Sequence, residues 1–231
     1  MRRYFFFILI CILFSLSSNA QELRRTKPEL PDYIPLLNAV GYEVFTFDIA
    51  SLRNETYIIQ FIIREYLEGA LVYDSSKNGS EFSITNRKMI SEFPEKIQKE
   101  IVSEGLGFDL DKGIYSLGEK ISIGLTPTAD SLRTVTMSIK NRGSIMFTLS
   151  LKPQCISPWK GEYKYGYRPF KVDVIQLGDY IPLLMVGSYW YDQKLNVIRF
   201  CGESELPADL SSEMLSKIPH YYVIGVIIRK K

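Results

Sequence analysis

Apolar residues form two nearly continuous runs, at residues 57–63 and 221–228. Uninterrupted runs of this length are typical of central strands that are covered on both faces. Residues 132–140 and 144–151 instead alternate apolar and polar side chains on either side of an Asn141-Arg142-Gly143 turn. Alternation with a period of two predicts a hairpin with one buried and one solvated face. The pattern therefore predicts a sheet with two central strands and a half-exposed hairpin.

Two segments repeat apolar residues about every four positions, which predicts amphipathic helices. The first covers residues 93–104 with Pro94 in its first turn, and the second covers residues 206–218 with Pro207 in its first turn. Proline costs little there, because its missing N–H would have no partner inside the helix. Each helix is expected to bury its apolar face against a sheet. These faces comprise Phe93, Ile97 and Ile101 in the first helix, and Leu206, Leu210, Met214 and Ile218 in the second.

Shorter strand patterns complete the predicted architecture. They fall at residues 43–49, 56–67, 70–73, 81–85, 185–191 and 195–201. Strands that precede and follow single helices, with tight turns between many of them, are typical of α+β domains. The sequence thus predicts an α+β fold, rich in antiparallel strands, with one packed helix in each half.

An octapeptide occurs twice. LPDYIPLL at residues 30–37 recurs as LGDYIPLL at 177–184, identical at seven of eight positions. Each copy precedes strand patterns and then a helix, which is compatible with a diverged internal duplication. The alternative is that a proline-containing start of a strand arose twice, since the segments between the repeat and the helix align poorly.

The N-terminus resembles a secretory signal. Arg2 and Arg3 precede an apolar run at residues 4–16 and the small residues Ser18-Asn19-Ala20. This arrangement predicts cleavage before Gln21 and export to the periplasm, the cell surface or the extracellular space. The predicted organisation is a signal peptide at 1–20, a linker at 21–30 and one domain at 31–231, whose halves under a duplication would be 31–152 and 153–231.

Charge argues against two classes of partner. Removal of the signal takes away two arginines and no acid, so Lys and Arg then equal the 26 Asp and Glu residues. Nucleic acids and anionic membrane surfaces require clustered, unbalanced basic residues, and none are found. No apolar stretch after the signal is long enough to cross a bilayer. The sequence leaves the oligomeric state open.

Two cysteines remain in the mature chain, Cys155 and Cys201. An oxidising compartment favours a disulfide between them. Two buried free thiols that act as small apolar residues are the alternative.

The chain is poor in groups that bind metals or transfer protons. His220 is the only histidine, so a zinc site built on histidines is excluded, and no cofactor or metal is expected. We interpret His220 as a residue at a strand end whose side chain bonds to backbone. The residue types still permit a pair of carboxylates, as in glycoside hydrolases. Candidates in or beside strands are Asp48, Glu65, Asp173 and Glu203.

Aromatic residues are the best candidates for ligand binding. If residues 159–170 are extended, Tyr163, Tyr165 and Tyr167 share one face, and a second cluster follows at Tyr189-Trp190-Tyr191. Exposed rings with polar edges suit a glycan or a peptide. The alternative is that these rings pack within the protein.

The octapeptides, the segment WYDQKLNVIRFCGE at 190–203 and the ending HYYVIGVII resemble uncharacterised secreted proteins of Bacteroides and related bacteria. The resemblance implies a periplasmic or surface location and supplies no site residues.

These observations favour a non-catalytic exported module that binds a glycan, a peptide or an envelope protein through the aromatic face. A carboxylate-dependent hydrolase of a polysaccharide or cell-wall polymer is the alternative. A third hypothesis is an accessory subunit whose apolar surface is covered by another chain.

Overall fold

A computed structural model describes most of the chain after the predicted signal. The described residues are 30–49, 51–52, 56–85, 87–104, 108–109, 114–116, 120–129, 131–139, 143–152 and 164–231. The predicted signal peptide and most of the predicted linker therefore lie outside the described residues. The chain divides into two compact units, Met1–Leu36 and Leu37–Lys231. Within the described ranges, no helix has both the length and the apolar composition needed to cross a membrane.

The described residues form short helices and many strands, numbered in chain order. The α-helices are α1 Leu30–Ala39, α2 Glu95–Glu104 and α3 Glu213–Lys217, and 3₁₀ turns occur at Ser75–Lys77 and Ile90–Glu92. The strands are β1 Glu43–Asp48, β2 Thr56–Leu67, β3 Ala70–Asp74, β4 Glu81–Thr85, β5 Arg87–Met89, β6 Phe108–Asp109, β7 Ile114–Ser116, β8 Lys120–Ala129, β9 Leu132–Ile139, β10 Gly143–Ser150, β11 Tyr165–Lys171, β12 Tyr180–Ser188, β13 Trp190–Asp192, β14 Val197–Arg199, β15 Leu206–Pro207 and β16 His220–Lys230.

Two antiparallel-rich sheets dominate the fold. One has the order β1-β8-β9-β10, and the larger has the order β15-β11-β12-β16-β2-β3, with β4 also paired to β2. Smaller sheets contain β13-β14 and β5-β7-β6. Strands β2 and β16 pair in register from Leu67 opposite His220 to Tyr57 opposite Lys230. They lie inside the larger sheet, so the prediction that the two apolar runs form its centre is confirmed.

The two large sheets pack face to face on a common hydrophobic core, here called the inter-sheet core. Alternate residues of the predicted hairpin point into it: Val135, Met137 and Ile139 are buried, and the residues between them are half-exposed. The hairpin and its one-sided burial are therefore confirmed. From the larger sheet, the core receives Tyr57, Ile59, Phe61 and Ile63 of β2 and Tyr222, Ile224, Val226 and Ile228 of β16.

The opposite face of the larger sheet is covered as well, by a second core. Met185 of β12 and Val223 of β16 lie there beneath Met214 and Leu215 of α3. The central strands are thus covered on both faces, which explains why their sequences lack the polar alternation of the hairpin.

The helix predicted at residues 206–218 is correct only in its second half. Leu206 and Pro207 form β15, which pairs with β11 in parallel, and Leu210 has a positive φ of 61°. The helix begins only after Ser212, whose side chain accepts a hydrogen bond from the N–H of Met214. Pairing with the edge of the larger sheet overrides the helical spacing of the apolar residues.

The helix predicted at residues 93–104 is present as α2. On its predicted apolar face, Phe93 is half-buried and Ile97 is 37% exposed, while the burial of Ile101 lies outside what the structure describes. The packing of this helix against a sheet therefore stays a prediction. The described fold is mainly β, and the antiparallel-rich part of the prediction is what the structure supports.

The two octapeptides adopt different structures. The first lies in helix α1, which contains Pro35, whereas Tyr180 to Leu184 of the second begin β12. The alternative, a proline-containing strand start that arose twice, does not hold for the first copy, because that copy is helical. In β12 the chain lies between β11 and β16, and these neighbours decide its conformation. The octapeptides therefore give the duplication no structural support.

Replacement of Gly225 by alanine tests the packing of β16. A methyl group at Gly225 would lie 2.8 Å from the Tyr180 ring and would also meet the backbone oxygen of Ile181. We expect Gly225→Ala to lower the free energy of unfolding by about 1–3 kcal/mol, measured by urea denaturation. Gly124→Ala is the matched control, because its nearest neighbour would be the hydroxyl end of the Tyr42 side chain, at 3.1 Å, rather than backbone. Equal losses in both variants would contradict this account.

Candidate functional site

The predicted aromatic face is divided between packing environments. Tyr163 lies outside the described residues. Tyr165 and Tyr167 do share one face of β11, but they pack partly buried against the inter-sheet core. Tyr167 contacts the ring of Phe45 edge-on, with centroids 6.2 Å apart. These two rings therefore hold the two sheets together.

The cluster Tyr189-Trp190-Tyr191 belongs to the other side of the larger sheet. Tyr189 stacks on Phe200 at 4.7 Å, and Trp190 is only 8% exposed within the second core. The Tyr191 hydroxyl donates to the side-chain oxygen of Asn196 at 2.6 Å. Trp190 and Tyr191 nevertheless line an open groove of about 940 Å³, here called the Trp190 groove. Its other lining residues include Asp192, Gln193, Lys194, Arg199, Glu213 and Lys217.

A polar cluster, here called the His220 cluster, lies at one end of the space between the sheets. His220 begins β16 and has no solvent exposure. Its Nδ1 atom bonds to the Tyr165 hydroxyl, and its Nε2 atom lies 3.0 Å from Oε1 of Glu65. The same carboxylate oxygen lies 2.5 Å from Nζ of Lys152, which follows β10 of the smaller sheet. The interpretation that the His220 side chain bonds to backbone is wrong.

Hydrogen-bond directions in the His220 cluster follow from its fixed donors. The backbone N–H of Lys152 donates to the Tyr165 hydroxyl oxygen at 2.9 Å, so we assign the hydroxyl proton to the bond with Nδ1 of His220. Nε2–H then donates to Glu65, whose carboxylate also accepts from Lys152. The Tyr222 hydroxyl donates to the backbone oxygen of Ser150 at 2.8 Å. The cluster therefore joins β2, β11 and β16 to the end of β10.

Burial and neighbouring charges shift the acid–base equilibria of this cluster. Burial lowers the pKa of His220, and the positive charge of Lys152 adds to that effect, against the opposing influence of Glu65. For Glu65, burial acts to raise the pKa, but hydrogen bonds from Lys152 and His220 outweigh it and leave the pKa lowered. Burial, followed by the Glu65 carboxylate, raises the pKa of Tyr222. A neutral imidazole beside an ion pair is the favoured state at neutral pH.

A cleft opens at the other end of the space between the sheets. It has a volume of about 660 Å³ and runs between β1 and residues 172–175, which follow β11. Its walls come from both sheets: Phe45 and Phe47 of β1 and Ile121 of β8, opposite Ile181, Leu183, Val226 and Ile228. Val172 and Ile175 complete the apolar lining, and Asp48, Lys171, Asp173 and Glu205 supply charge.

The cleft lies beside an edge of the smaller sheet. Among the described residues, β1 pairs with β8 alone. Its inward side chains, Phe45 and Phe47, are half-buried because they pack against the inter-sheet core on one side and line the cleft on the other. No sequence pattern predicted the cleft, since it arises where two sheets of different width meet.

Comparison with known proteins places the chain in a family. The matching family is described as a domain of unknown function, DUF5041, and it matches residues 12–230. The chain belongs to this family. Neither a curated protein nor a solved structure matches it. The expectation of an uncharacterised family is thus confirmed, whereas export and a Bacteroides-like source stay predictions for this DUF5041 member.

Two of the four predicted carboxylates line the cleft, namely Asp48 and Asp173. The Asp173 side chain is 75% exposed and lies 3.7 Å from Nζ of Lys171. Glu65 belongs to the His220 cluster, and Glu203 accepts a hydrogen bond from Ser212 at 2.6 Å. The structure therefore does not bring all four candidates together.

The remaining candidate groups are the cysteines and metal ligands. Cys201 is exposed and lies 3.1 Å from Nε of Arg199, while Cys155 lies outside the described residues. Their disulfide stays a prediction. Within the part of the chain that the structure describes, no group of three or more His, Cys, Asp or Glu side chains is arranged to hold a metal ion.

The His220 cluster predicts acid sensitivity. The folded pKa of His220 lies below its ordinary value of 6.5, so the unfolded chain binds more protons and stability falls as the pH drops below 6.5. The slope is at most about 1.4 kcal/mol per pH unit for one proton. The lowered pKa of Glu65 adds a further loss as the pH falls below 4.5. Urea denaturation between pH 7.5 and pH 4 measures this dependence.

His220→Phe is the matched variant for this prediction. Because His220 is the only histidine, the variant should lose the slope just below pH 6.5 but keep a further loss below pH 4.5, since Lys152 still lowers the pKa of Glu65. An unchanged slope in the variant would show that His220 is not the responsible group.

Proposed function

We propose that this chain is a non-catalytic binding module that takes an extended peptide segment of a partner protein into the cleft. The supporting observation is the juxtaposition of an apolar cleft of about 660 Å³ with the edge strand β1. Ligand pockets are commonly about 300–1,000 Å³ in volume and mostly apolar, with a few polar groups. The cleft has these properties.

Strand addition to β1 is the binding mode that fits this geometry. An edge strand offers unpaired N–H and C=O groups to an extended peptide, and side chains of the peptide alternate between its two faces. Alternate peptide side chains, roughly 6.6 Å apart, would then point between the sheets. Phe45 and Phe47 on one wall and Ile181 and Leu183 on the other would contact them. Apolar side chains at alternate positions are therefore the expected specificity.

The charges of the cleft favour a basic segment. Among the described residues that line the cleft, Asp48, Asp173 and Glu205 carry carboxylates and Lys171 carries the one ammonium group. Lysine or arginine beside the apolar positions of the peptide would speed association by electrostatic attraction. Because the signal peptide predicts export, the proposed partner is a protein of the periplasm or cell surface.

A carboxylate-dependent hydrolase has weaker support. A catalytic general acid usually owes its raised pKa to burial in an apolar pocket. Asp173, one of the two predicted carboxylates in the cleft, is mostly exposed. The two predicted carboxylates that lie outside the cleft already have partners: Glu65 forms an ion pair with Lys152, and Glu203 accepts a hydrogen bond from Ser212.

Glycan recognition at the Trp190 groove is a second candidate function. The groove combines two aromatic side chains with amide, carboxylate and guanidinium groups, a mixture that suits sugar hydroxyls. Against this, the Asp192 carboxylate already accepts hydrogen bonds from Arg199 and from the N–H groups of Lys194 and Leu195. If the groove binds a sugar, Tyr191→Ala should weaken binding in affinity electrophoresis.

Peptide binding can be tested with the chain from Gln21 to Lys231. Peptides selected from a displayed library should carry alternating apolar residues, and calorimetry should give their affinity. Ile175→Trp fills the cleft from one wall and should weaken binding at least tenfold. Leu195→Trp is the control, because Leu195 is 60% exposed on the turn between β13 and β14.

Two results would argue against the proposal. One is the selection of no peptide with alternating apolar residues. The other is an equal affinity of the native chain, Ile175→Trp and Leu195→Trp. Slower amide hydrogen exchange at residues 43–48 on peptide addition would locate the bound segment at β1.

A further inference from the structure

Hydrogen bonds from the larger sheet meet the smaller sheet at the end of β10, from Ser150 to Lys152, here called the β10 terminus. The backbone N–H of Lys152 donates to the Tyr165 hydroxyl at 2.9 Å, and its ammonium group lies 2.5 Å from Oε1 of Glu65. The backbone oxygen of Ser150 accepts from the Tyr222 hydroxyl at 2.8 Å. The β10 terminus is therefore attached to strands β2, β11 and β16 of the larger sheet.

The middle residue of the β10 terminus is bonded differently. The N–H of Leu151 donates to the backbone oxygen of Ser131 at 2.7 Å, and Ser131 directly precedes β9 of the smaller sheet. A hydrogen-bonded amide exchanges its proton with water only when that bond opens. The adjacent amides of Leu151 and Lys152 therefore report on different contacts: the first on the smaller sheet itself, the second on its attachment to the larger sheet.

His220 is the group of this cluster whose charge changes between pH 7.5 and pH 5. The titratable groups that face its imidazole are Glu65 of β2, Tyr165 of β11, Lys152 after β10 and Tyr222 of β16. Strand β12 contributes an uncharged group, the Ser188 hydroxyl, 3.4 Å from the backbone N of His220. Tyrosine and lysine ordinarily titrate near pH 10, and the lowered pKa of Glu65 keeps that carboxylate charged throughout this range.

Protonation of the imidazole conflicts with two of its contacts. Both nitrogens of an imidazolium are donors, so the proton on Nδ1 would meet the hydroxyl proton that Tyr165 donates to it. The new positive charge would also lie beside the ammonium group of Lys152, because both groups contact the same oxygen of Glu65. Such repulsion is strong here, since His220 has no solvent exposure.

Detachment of Lys152 removes both conflicts. Its ammonium group, already about one-third exposed, moves into water, and Glu65 then faces a single cation. The Tyr165 oxygen, no longer bonded to the N–H of Lys152, can accept from the proton on Nδ1. The many apolar contacts of the inter-sheet core do not titrate, so they keep the sheets together when the polar end opens.

We propose that the His220 cluster is an acid-released latch between the two sheets: protonation of His220 detaches the β10 terminus from the larger sheet while the inter-sheet core stays packed. An open state, in which the imidazole contacts water, binds the proton more tightly than the closed state does, so acid shifts the equilibrium towards opening. The opening is local and gives a second way into the space between the sheets. The proposal does not depend on peptide binding in the cleft.

Amide hydrogen exchange of the chain from Gln21 to Lys231, followed by NMR between pH 7.5 and pH 5, tests this proposal. Protection of the Lys152 amide, corrected for the intrinsic effect of pH on exchange, should fall by up to about tenfold per pH unit below pH 6.5, the ordinary pKa of histidine. The amides of Leu151 and of β2 and β16 should keep their protection. His220 is the only histidine, and the fall should level off at the pH where its single imidazole signal titrates.

Two variants separate a latch from a merely structural contact. His220→Gln keeps a donor and an acceptor but takes up no proton, so protection of the Lys152 amide should be the same at pH 7.5 and pH 5. Lys152→Met keeps the backbone N–H but removes the ammonium charge. It should lower protection of the amide of residue 152 at pH 7.5 and also weaken the dependence on pH. Lys217→Met is the matched control, because Lys217 pairs with the exposed Glu213 within α3.

Three results would overturn the proposal. One is a protection of the Lys152 amide that does not change between pH 7.5 and pH 5. Another is a parallel loss of protection at Leu151 and in β16, which indicates global unfolding. The third is a native dependence on pH in His220→Gln. Circular dichroism checks folding; if His220→Gln does not fold, an equal pH dependence in Lys152→Met and Lys217→Met contradicts the latch.

Discussion

The pairing of β2 with β16 is the constraint on which the rest of the second unit depends. These strands are distant in the chain, yet they match along the whole length of β16. The side chains of one face form the inter-sheet core with the smaller sheet, and those of the other face form the second core with α3. Burial on two sides supplies the apolar area that compensates for the loss of chain entropy on closing so long a loop.

The space between the sheets ends differently at its two extremes. Along β16, His220 and Ile228 are roughly 26 Å apart. At the His220 end, hydrogen bonds among the buried His220 and the partly buried Lys152, Glu65 and Tyr165 tie the sheets together. At the Ile228 end, the sheets separate and leave the cleft. A ligand can therefore enter the space between the sheets at the open, apolar end, whereas the polar end is closed.

The proposed peptide site lies where residues of β1 line the cleft between the two sheets. The aromatic residues singled out from the sequence instead mostly stabilise the fold, because Tyr165 and Tyr167 pack on the inter-sheet core and Trp190 on the second core.

The sequence by itself determined the strands with strong patterns, namely β2, β16 and the β9-β10 hairpin, because their periodicity directly reflects which faces are buried. Tertiary structure alone decided the conformation of the two octapeptides and of residues 206–211, where neighbouring strands outweigh local preference. It also decided the site residues. His220 joins Glu65 and Tyr165 only because three strands end at one place, and the cleft depends on how the two sheets meet. These arrangements depend on contacts between segments that are far apart in the chain, and local sequence patterns do not contain that information.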